Sequence, residues 1–317
     1  MESRRVGTSG LRVSSVGLGT MTWGRDTDEH EAADLLREFL DSGGTLVDTA
    51  ASYSEGAAEE VIGTLLADEV DRSDLILCSK SGVRHGRVDA SRGALLDSLD
   101  ESLARLGTDH LDLWLVQAPD PHTLLSETVG ALRHAVATGR ARYVGLSNYP
   151  AWQLAQAATL LAQDGTMLTA AEMEYSLLQR GIEREVRPAA AGLGAGLLGW
   201  SALGRGVLTG KYRRSVPADS RAASPHLRGF VDPYLNDRGR SVVEALVTAA
   251  DGLGRAPVEV ALAWARDAPG ITSALIGARS PGQLRGALAA DDLQLPTQIR
   301  EVLDEVTAPL LGYPEVR

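Results

Sequence analysis

Two kinds of hydrophobic pattern alternate along most of the chain. Short β-branched or apolar runs, typical of buried strands, are followed by longer stretches with apolar residues three or four positions apart, as on one face of a helix. This alternation indicates βα units on a parallel sheet. The eight predicted strands are residues 16–20, 45–49, 75–79, 111–116, 143–147, 168–173, 196–201 and 273–277.

The helical patterns lie between these strands and after them. No Pro/Ser-rich linker separates two halves, so we predict one α/β domain over 1–317, a closed (β/α)₈ TIM barrel whose closure removes the sheet edges. A doubly wound sheet is the alternative. The predicted helices are 28–40, 57–67, 91–106, 123–137, 151–162, 183–191, 242–250, 258–266 and 297–305.

Three segments interrupt the alternation. A turn signal at residues 8–11 between two short extended runs predicts an N-terminal β-hairpin that closes one end of the barrel. Residues 204–240 are rich in Arg, Pro, Ser and Gly and too long for a simple connection, which makes them a candidate lid. The C-terminal part adds two extra helices, one before and one after the last strand.

Composition excludes several classes of function. The 317 residues carry a net charge of −11, which disfavours binding to nucleic acid or to an anionic membrane surface. The single cysteine, Cys78, excludes an internal disulfide and makes a cysteine-based metal cluster improbable. Apolar runs are too short to span a bilayer, and no signal peptide is visible, so we expect a soluble, cytoplasmic protein.

Candidate chemistry lies at the carboxyl ends of the predicted strands, where barrel enzymes place their working residues. Asp48 lies at the end of strand two and Tyr53 shortly after it, Lys80 comes directly after strand three, and Gln117 comes directly after strand four. Lys80 and Lys211 are the only lysines among 31 basic residues. An ammonium beside Tyr53, oriented by Asp48, is expected to lower the pKa of the phenol from about 10 and prepare it to release a proton.

Eight strings in order along the chain carry a resemblance to a known family. They are GLGT at 17–20, VDTA at 47–50 followed by Tyr53, SK at 79–80, DLW at 112–114, VGLSN at 144–148, EYS at 174–176, GVLTGKY at 206–212 and IGAR at 276–279. The sequence resembles the aldo-keto reductases over nearly its whole length, and within them the branch of the potassium-channel beta subunits. The resemblance implies a (β/α)₈ barrel, a nicotinamide cofactor across its mouth and hydride transfer to a carbonyl.

The resemblance also implies residue roles. Tyr53 corresponds to the general acid, with Lys80 and Asp48 tuning it, and Gln117 stands where the family has a histidine. A neutral amide can form hydrogen bonds but cannot relay a proton. Substrate contacts are expected from Trp23, Tyr53, Gln117 and Tyr149. Cofactor contacts, to NADPH rather than NADH because of the charge of Arg279, are expected from Ser147, Asn148, Glu172, Trp200, Ser201, Leu203, Gly206, Leu208, Lys211, Gly277, Arg279, Ser280 and Gln283.

Other interpretations remain beside this one. Residues 194–199 fit G-x-G-x-x-G but lead into a predicted strand, so they lack the context of a dinucleotide fingerprint. The protein is either an NADPH-dependent reductase of a small carbonyl compound, a cofactor-binding regulatory module with little turnover, or a sugar epimerase or lyase using the same pocket. No metal site is expected, and the sequence leaves open whether the protein is a monomer or a homo-oligomer.

Overall fold

A closed barrel of eight parallel strands forms the centre of the protein. The computed structural model describes residues 1–218 and 220–309. Each strand pairs with the next along the chain, and the last pairs with the first. The strands are β1 (Val16–Gly19), β2 (Leu46–Asp48), β3 (Ile76–Ser81), β4 (Leu111–Val116), β5 (Ala141–Ser147), β6 (Leu168–Glu174), β7 (Gly196–Trp200) and β8 (Ile271–Ile276).

Helices cover the outside of the barrel. The predicted (β/α)₈ fold is therefore confirmed, and the strand limits differ from the predicted ones by at most two residues. Two short helices, Arg228–Val231 and Pro281–Leu288, were not predicted because neither carries enough buried apolar residues to establish a period. The helices are α1 (Glu29–Asp41), α2 (Ala57–Asp68), α3 (Arg92–Leu106), α4 (Leu125–Ala137), α5 (Ala151–Ala162), α6 (Val186–Leu193), α7 (Arg228–Val231), α8 (Asp237–Leu253), α9 (Pro257–Arg266), α10 (Pro281–Leu288) and α11 (Thr297–Val306).

Strand β4 shows how the apolar pattern divides between two cores. All six of its residues are buried. Leu113 and Leu115 belong to the core inside the barrel, whereas Trp114 and Val116 belong to the core between barrel and helices. Successive side chains of a strand point to opposite faces, so a continuous apolar run fills both layers.

The predicted N-terminal hairpin is present. Ser3–Arg5 pairs antiparallel with Arg12–Ser14, and the apolar side chains of Val6, Leu11 and Val13 are buried with the inward-facing residues of the barrel. The hairpin thus closes the end where the strands begin, which leaves the other end, where the strands finish, as the open mouth.

The long segment between β7 and β8 packs over the mouth rather than extending away from it. It begins with a turn of 3-10 helix at Gly204–Thr209 and continues to α7. Of this segment, Asp219 lies outside the described residues. Among the helices described, none combines the length and the apolar character needed to cross a membrane.

Candidate active site

The polar residues of the mouth continue the inward-facing rows of the barrel strands. A residue two positions after an interior apolar side chain also points inward. The side chains of these residues converge on a cavity of about 580 Å³. On five strands the interior residue is followed in this way: Leu46 by Asp48, Cys78 by Lys80, Leu115 by Gln117, Ala170 by Glu172 and Leu198 by Trp200.

Lys80 is the centre of the polar contacts. Its side chain is buried, and Nζ donates to both Asp48 carboxylate oxygens at 2.7 Å and to the carbonyl oxygen of Thr49 at 2.9 Å. Tyr53 begins a helical turn shortly after β2, which brings its hydroxyl to 3.5 Å from Lys80 Nζ. The structure therefore brings together the three residues that the sequence predicted to act jointly.

The expected fall in the pKa of Tyr53 is wrong. Desolvation by the surrounding protein raises the pKa of the phenol above its ordinary value, and the opposing effect of the Lys80 ammonium is smaller. Asp48 and Glu172 add to the rise. The sequence indicated the ammonium but not the depth of the site, and in a desolvated site the neutral phenol is favoured. Tyr53 consequently keeps its proton at neutral pH.

Glu172 is a second buried carboxyl group beside the same ammonium. It pairs in the sheet with Ser147 on β5 and Leu198 on β7, and its Oε1 lies 3.4 Å from Lys80 Nζ. Burial raises the pKa of Glu172 well above its ordinary value, Asp48 raises it further, and Lys80 opposes both. The protonated form of Glu172 is therefore favoured relative to that of an exposed glutamate, and in that form the carboxyl group donates a hydrogen bond as well as accepting one.

Gln117 is held in one orientation by its neighbours. Its backbone N–H donates to the carbonyl oxygen of Ser81 at 2.9 Å, and the hydroxyl of Ser52 donates to Oε1 at 2.9 Å. Asn148 Nδ2 donates to the carbonyl oxygen of Gln117 at 3.0 Å. With Oε1 oriented by Ser52, the amide of Gln117 offers its N–H group as the donor toward a ligand in the cavity.

An aromatic wall forms the opposite side of the cavity. Trp200 donates its indole N–H to Asn148 Oδ1 at 3.1 Å, and its ring stacks with Phe230 at a centroid distance of 6.3 Å. The guanidinium of Arg205 lies 4.1 Å from the Phe230 ring centre and forms a two-pronged ion pair with Glu174. These contacts fasten the long segment to the end of β6.

The far end of the cavity is cationic. Lys211, Arg221 and Arg279 all line it. Burial and the neighbouring charge of Arg279 lower the pKa of Arg221, as expected where positive charges are gathered for an anion. Gln283 Oε1 accepts the backbone N–H of Arg279 at 3.1 Å, which orders this corner.

Most of the predicted site residues line the cavity, and some do not. Trp23 and Tyr149, expected as substrate contacts, are buried in the core, as is Leu208, because their apolar surface is covered by neighbouring helices and loops. Ser280 caps α10 by accepting the N–H of Gln283. The predicted residues that do line the cavity are Asp48, Tyr53, Lys80, Gln117, Ser147, Asn148, Glu172, Trp200, Ser201, Leu203, Gly206, Lys211, Gly277, Arg279 and Gln283.

Sequence reasoning missed Arg205 and Arg221 as site residues. Both lie in the long segment, where no period indicates which side chains face inward. In the structure, Arg205 stands between Gly204 and Gly206 with a positive φ of 58°, a conformation that the sequence does not reveal. A bulky cation in such a turn is unusual and indicates a specific contact.

Comparisons with known proteins agree with the fold. The family model described as "Aldo/keto reductase family" matches residues 15–308. A protein of Oryza sativa subsp. japonica named "Probable voltage-gated potassium channel subunit beta" is 33% identical, over 99% of this chain and 98% of its own length. A protein of Arabidopsis thaliana with the same name is 31% identical over the same shares. With a closed eight-stranded barrel and a family match over nearly its entire length, this chain belongs to the aldo/keto reductase family of oxidoreductases.

Proposed function

We propose that the protein is an NADPH-dependent reductase that converts the carbonyl group of an aldehyde, ketone or keto-sugar to an alcohol. The observation that carries the proposal is the 3.5 Å contact between Lys80 Nζ and the Tyr53 hydroxyl. Tyr53 keeps its proton until a carbonyl oxygen becomes negative, and the adjacent ammonium stabilises the phenolate that forms. This is the arrangement of a general acid.

The cavity suits a nicotinamide dinucleotide phosphate along its whole length. The cationic end, with Lys211, Arg221 and Arg279, suits phosphate groups. The indole of Trp200, whose edge is held by Asn148, offers a flat apolar surface to the nicotinamide ring. When bound, the reduced ring supplies a hydride to the carbonyl carbon.

Gln117 has a supporting part in this proposal. Its amide N–H binds the carbonyl oxygen in the cavity that Gln117 and Tyr53 both line and polarises it. An amide does not exchange protons near neutral pH, so Tyr53 carries the proton transfer alone. The single cysteine, Cys78, is buried in the core, which is compatible with a reducing, cytoplasmic setting.

Steady-state oxidation of NADPH across a panel of aldehydes, quinones and keto-sugars tests the proposal. The Tyr53→Phe variant is expected to lose activity by about 100-fold or more, since it lacks the acid. Tyr143→Phe is the matched control, because Tyr143 lies on β5 away from the cavity and packs against the inner core. Turnover in Tyr53→Phe within a factor of about three of the unmodified protein would contradict the proposal.

A second function, a cofactor-binding regulatory module, is favoured by two observations. Both relatives are named as potassium-channel subunits, and the amide of Gln117 stands in place of an acid–base group. NADPH binding measured by fluorescence, together with an absence of turnover across the whole panel, would support the module and rule out the reductase.

A further inference from the structure

The charges around Lys80 do not balance if every group is ionised. One ammonium is in contact with two buried carboxyl groups, those of Asp48 and Glu172. A carboxylate oxygen of Asp48, a carboxylate oxygen of Glu172 and the Sγ of Cys78 lie within 4.8 Å of one another. Two carboxylates this close in a desolvated site repel strongly, so one of them retains a proton.

Geometry indicates which of the two carries that proton. Asp48 presents both oxygens to the ammonium at 2.7 Å. Glu172 presents only Oε1, at 3.4 Å, and within the described residues its buried Oε2 has no hydrogen-bond partner. An unpartnered carboxylate oxygen in a buried site is costly, whereas a protonated carboxyl is tolerated. The proton therefore belongs to Glu172.

We propose that Glu172 supplies, through Lys80, the proton that restores Tyr53 after each reduction. This inference rests on the proposed reductase function. The path is continuous: Glu172 Oε1 lies 3.4 Å from Lys80 Nζ, and Nζ lies 3.5 Å from the Tyr53 hydroxyl. The amide of Gln117 cannot provide such a proton. Glu172, on β6, takes that role instead.

Each proton transfer of the cycle breaks one bond and forms another. The Tyr53 O–H bond breaks, and its proton joins the oxygen of the reduced carbonyl. An N–H bond of Lys80 breaks to restore the Tyr53 hydroxyl, and the O–H bond of Glu172 breaks to restore the ammonium. Glu172 is left as a carboxylate and takes a new proton from solvent once the alcohol and the oxidised cofactor have left.

This order of proton transfers keeps the net charge of the buried site constant. A bound nicotinamide would need its reacting carbon about 3–3.5 Å from the carbonyl that Tyr53 protonates, which would bring the charge of the ring close to this site. The ring is neutral when reduced and positive when oxidised. Ionised Glu172 offsets that new positive charge, whereas a Tyr53 phenolate would do so only by remaining unable to start another turnover.

The titratable groups that face Glu172 are few. They are Asp48 from β2, Cys78 and Lys80 from β3, and Tyr53 from the turn after β2. The strands directly paired with Glu172 contribute Ser147 and Leu198 at its level, and neither titrates. Burial raises the pKa of the Cys78 thiol well above its ordinary value, so the thiol stays neutral and does not compete for the role.

Proton release on cofactor binding tests the inference without any turnover. Isothermal titration calorimetry near neutral pH, in buffers of different ionisation enthalpy, counts protons for NADP⁺ and for NADPH. NADP⁺ binding is expected to release about one proton more than NADPH binding, because the cationic ring ionises Glu172. The difference cancels any contribution from the 2′-phosphate, which both cofactors carry.

Glu172→Gln keeps the shape of the side chain and removes the proton. In this variant the two cofactors are expected to release equal numbers of protons, while Glu172→Asp restores part of the difference. Glu301→Gln, a substitution of an exposed carboxyl on α11, is the matched control and is expected to behave as the unmodified protein. Thermal unfolding and NADPH binding verify that Glu172→Gln is folded.

The pH profile of kcat is a second test of the role of Glu172. In the unmodified protein kcat for reduction falls at alkaline pH as Glu172 loses its proton. Glu172→Gln is expected to have kcat lowered by roughly tenfold but level across that range.

Equal proton release by NADP⁺ and NADPH in the unmodified protein, or an unchanged difference in Glu172→Gln, would overturn this inference and leave the reductase proposal intact. If neither NADP⁺ nor NADPH bound to the protein, both the inference about Glu172 and the reductase proposal would be overturned.

Discussion

His226 and Asp26 are 200 residues apart in the chain, yet His226 Nε2 lies 3.1 Å from Asp26 Oδ1. His226 belongs to the long segment over the cavity, and Asp26 belongs to the loop after β1. The neighbouring residues Met21 and Arg221 line the cavity from the two sides. The contact therefore joins the two sides of the mouth above the place proposed for the cofactor.

Breaking this contact is expected to speed cofactor release. Asp26→Asn weakens the partly exposed contact with His226, which contributes about 1 kcal/mol or less and corresponds to a rise in the NADPH dissociation rate of roughly two- to fivefold. Stopped-flow fluorescence measures that rate. Asp34→Asn on α1, whose carboxylate pairs with Arg37 far from the mouth, serves as the control, and an equal effect there would refute the assignment.

The same contact predicts a dependence on acid pH. Burial by itself would raise the pKa of Asp26, but hydrogen bonds from His226 and Arg25 outweigh it and lower the pKa below its ordinary value. The stabilisation by Asp26 is therefore present above that ordinary value, near 3.8, and is lost as pH falls below it. NADPH dissociation measured down the acid range should approach the Asp26→Asn rate, and a constant gap between the two would contradict this.

Removing the ammonium of Lys80 should destabilise the fold as well as abolish reduction. Lys80→Met leaves the Asp48 carboxylate buried without its partner, which costs about 3–5 kcal/mol, and Asp48→Asn in the same chain should recover much of the loss. Urea unfolding measures both changes. If the double variant were as unstable as the two single losses added together, the ion pair would not be the cause.

Alkaline unfolding offers a separate check on Lys80. Burial alone would lower the pKa of its ammonium, but Asp48 and Glu172 outweigh that effect and raise the pKa well above the ordinary lysine value. Its stabilisation is thus complete below about 10.4, the usual value for lysine, and is lost only as pH rises beyond it. Urea unfolding from neutral pH to about pH 10 should show no loss from this group.

Gln117 and Ser52 should differ in how strongly they affect catalysis. Gln117→Leu removes the amide that binds the carbonyl oxygen, which costs about 1–1.5 kcal/mol, or a roughly five- to tenfold loss in kcat/KM. Ser52→Ala only frees the orientation of that amide and should cost less. Steady-state kinetics with one good substrate compares the two variants. A larger loss in kcat/KM for Ser52→Ala than for Gln117→Leu would refute this predicted ranking.

Arg279 should decide between the two nicotinamide cofactors. Its guanidinium lines the cationic end of the cavity, and a charged hydrogen bond to a phosphate contributes about 1.5–3 kcal/mol. Arg279→Gln is therefore expected to weaken NADPH binding by roughly 10- to 100-fold and NADH binding by far less. Fluorescence titration of both cofactors measures this, and an equal loss for both would contradict the assignment.

Local periodicity was sufficient to predict the barrel and the rows of inward-facing residues. Alternation along β2 and β3 places Asp48 above Leu46 and Lys80 above Cys78, and adjacent parallel strands bring these ends together. The contact between Asp48 and Lys80 is therefore determined by the sequence, because the strand period and the strand order can both be predicted from it.

Only the tertiary structure decided how deeply the site residues are buried and which residues from distant parts of the chain come into contact. The pKa of Tyr53 rises because the folded protein desolvates the phenol more than Lys80 stabilises its anion. Trp23 lies in the core rather than the cavity, and Glu172 reaches the ammonium from across the barrel. Such outcomes depend on how much water the completed fold excludes and on which side chains distant segments bring together, and no local pattern encodes either.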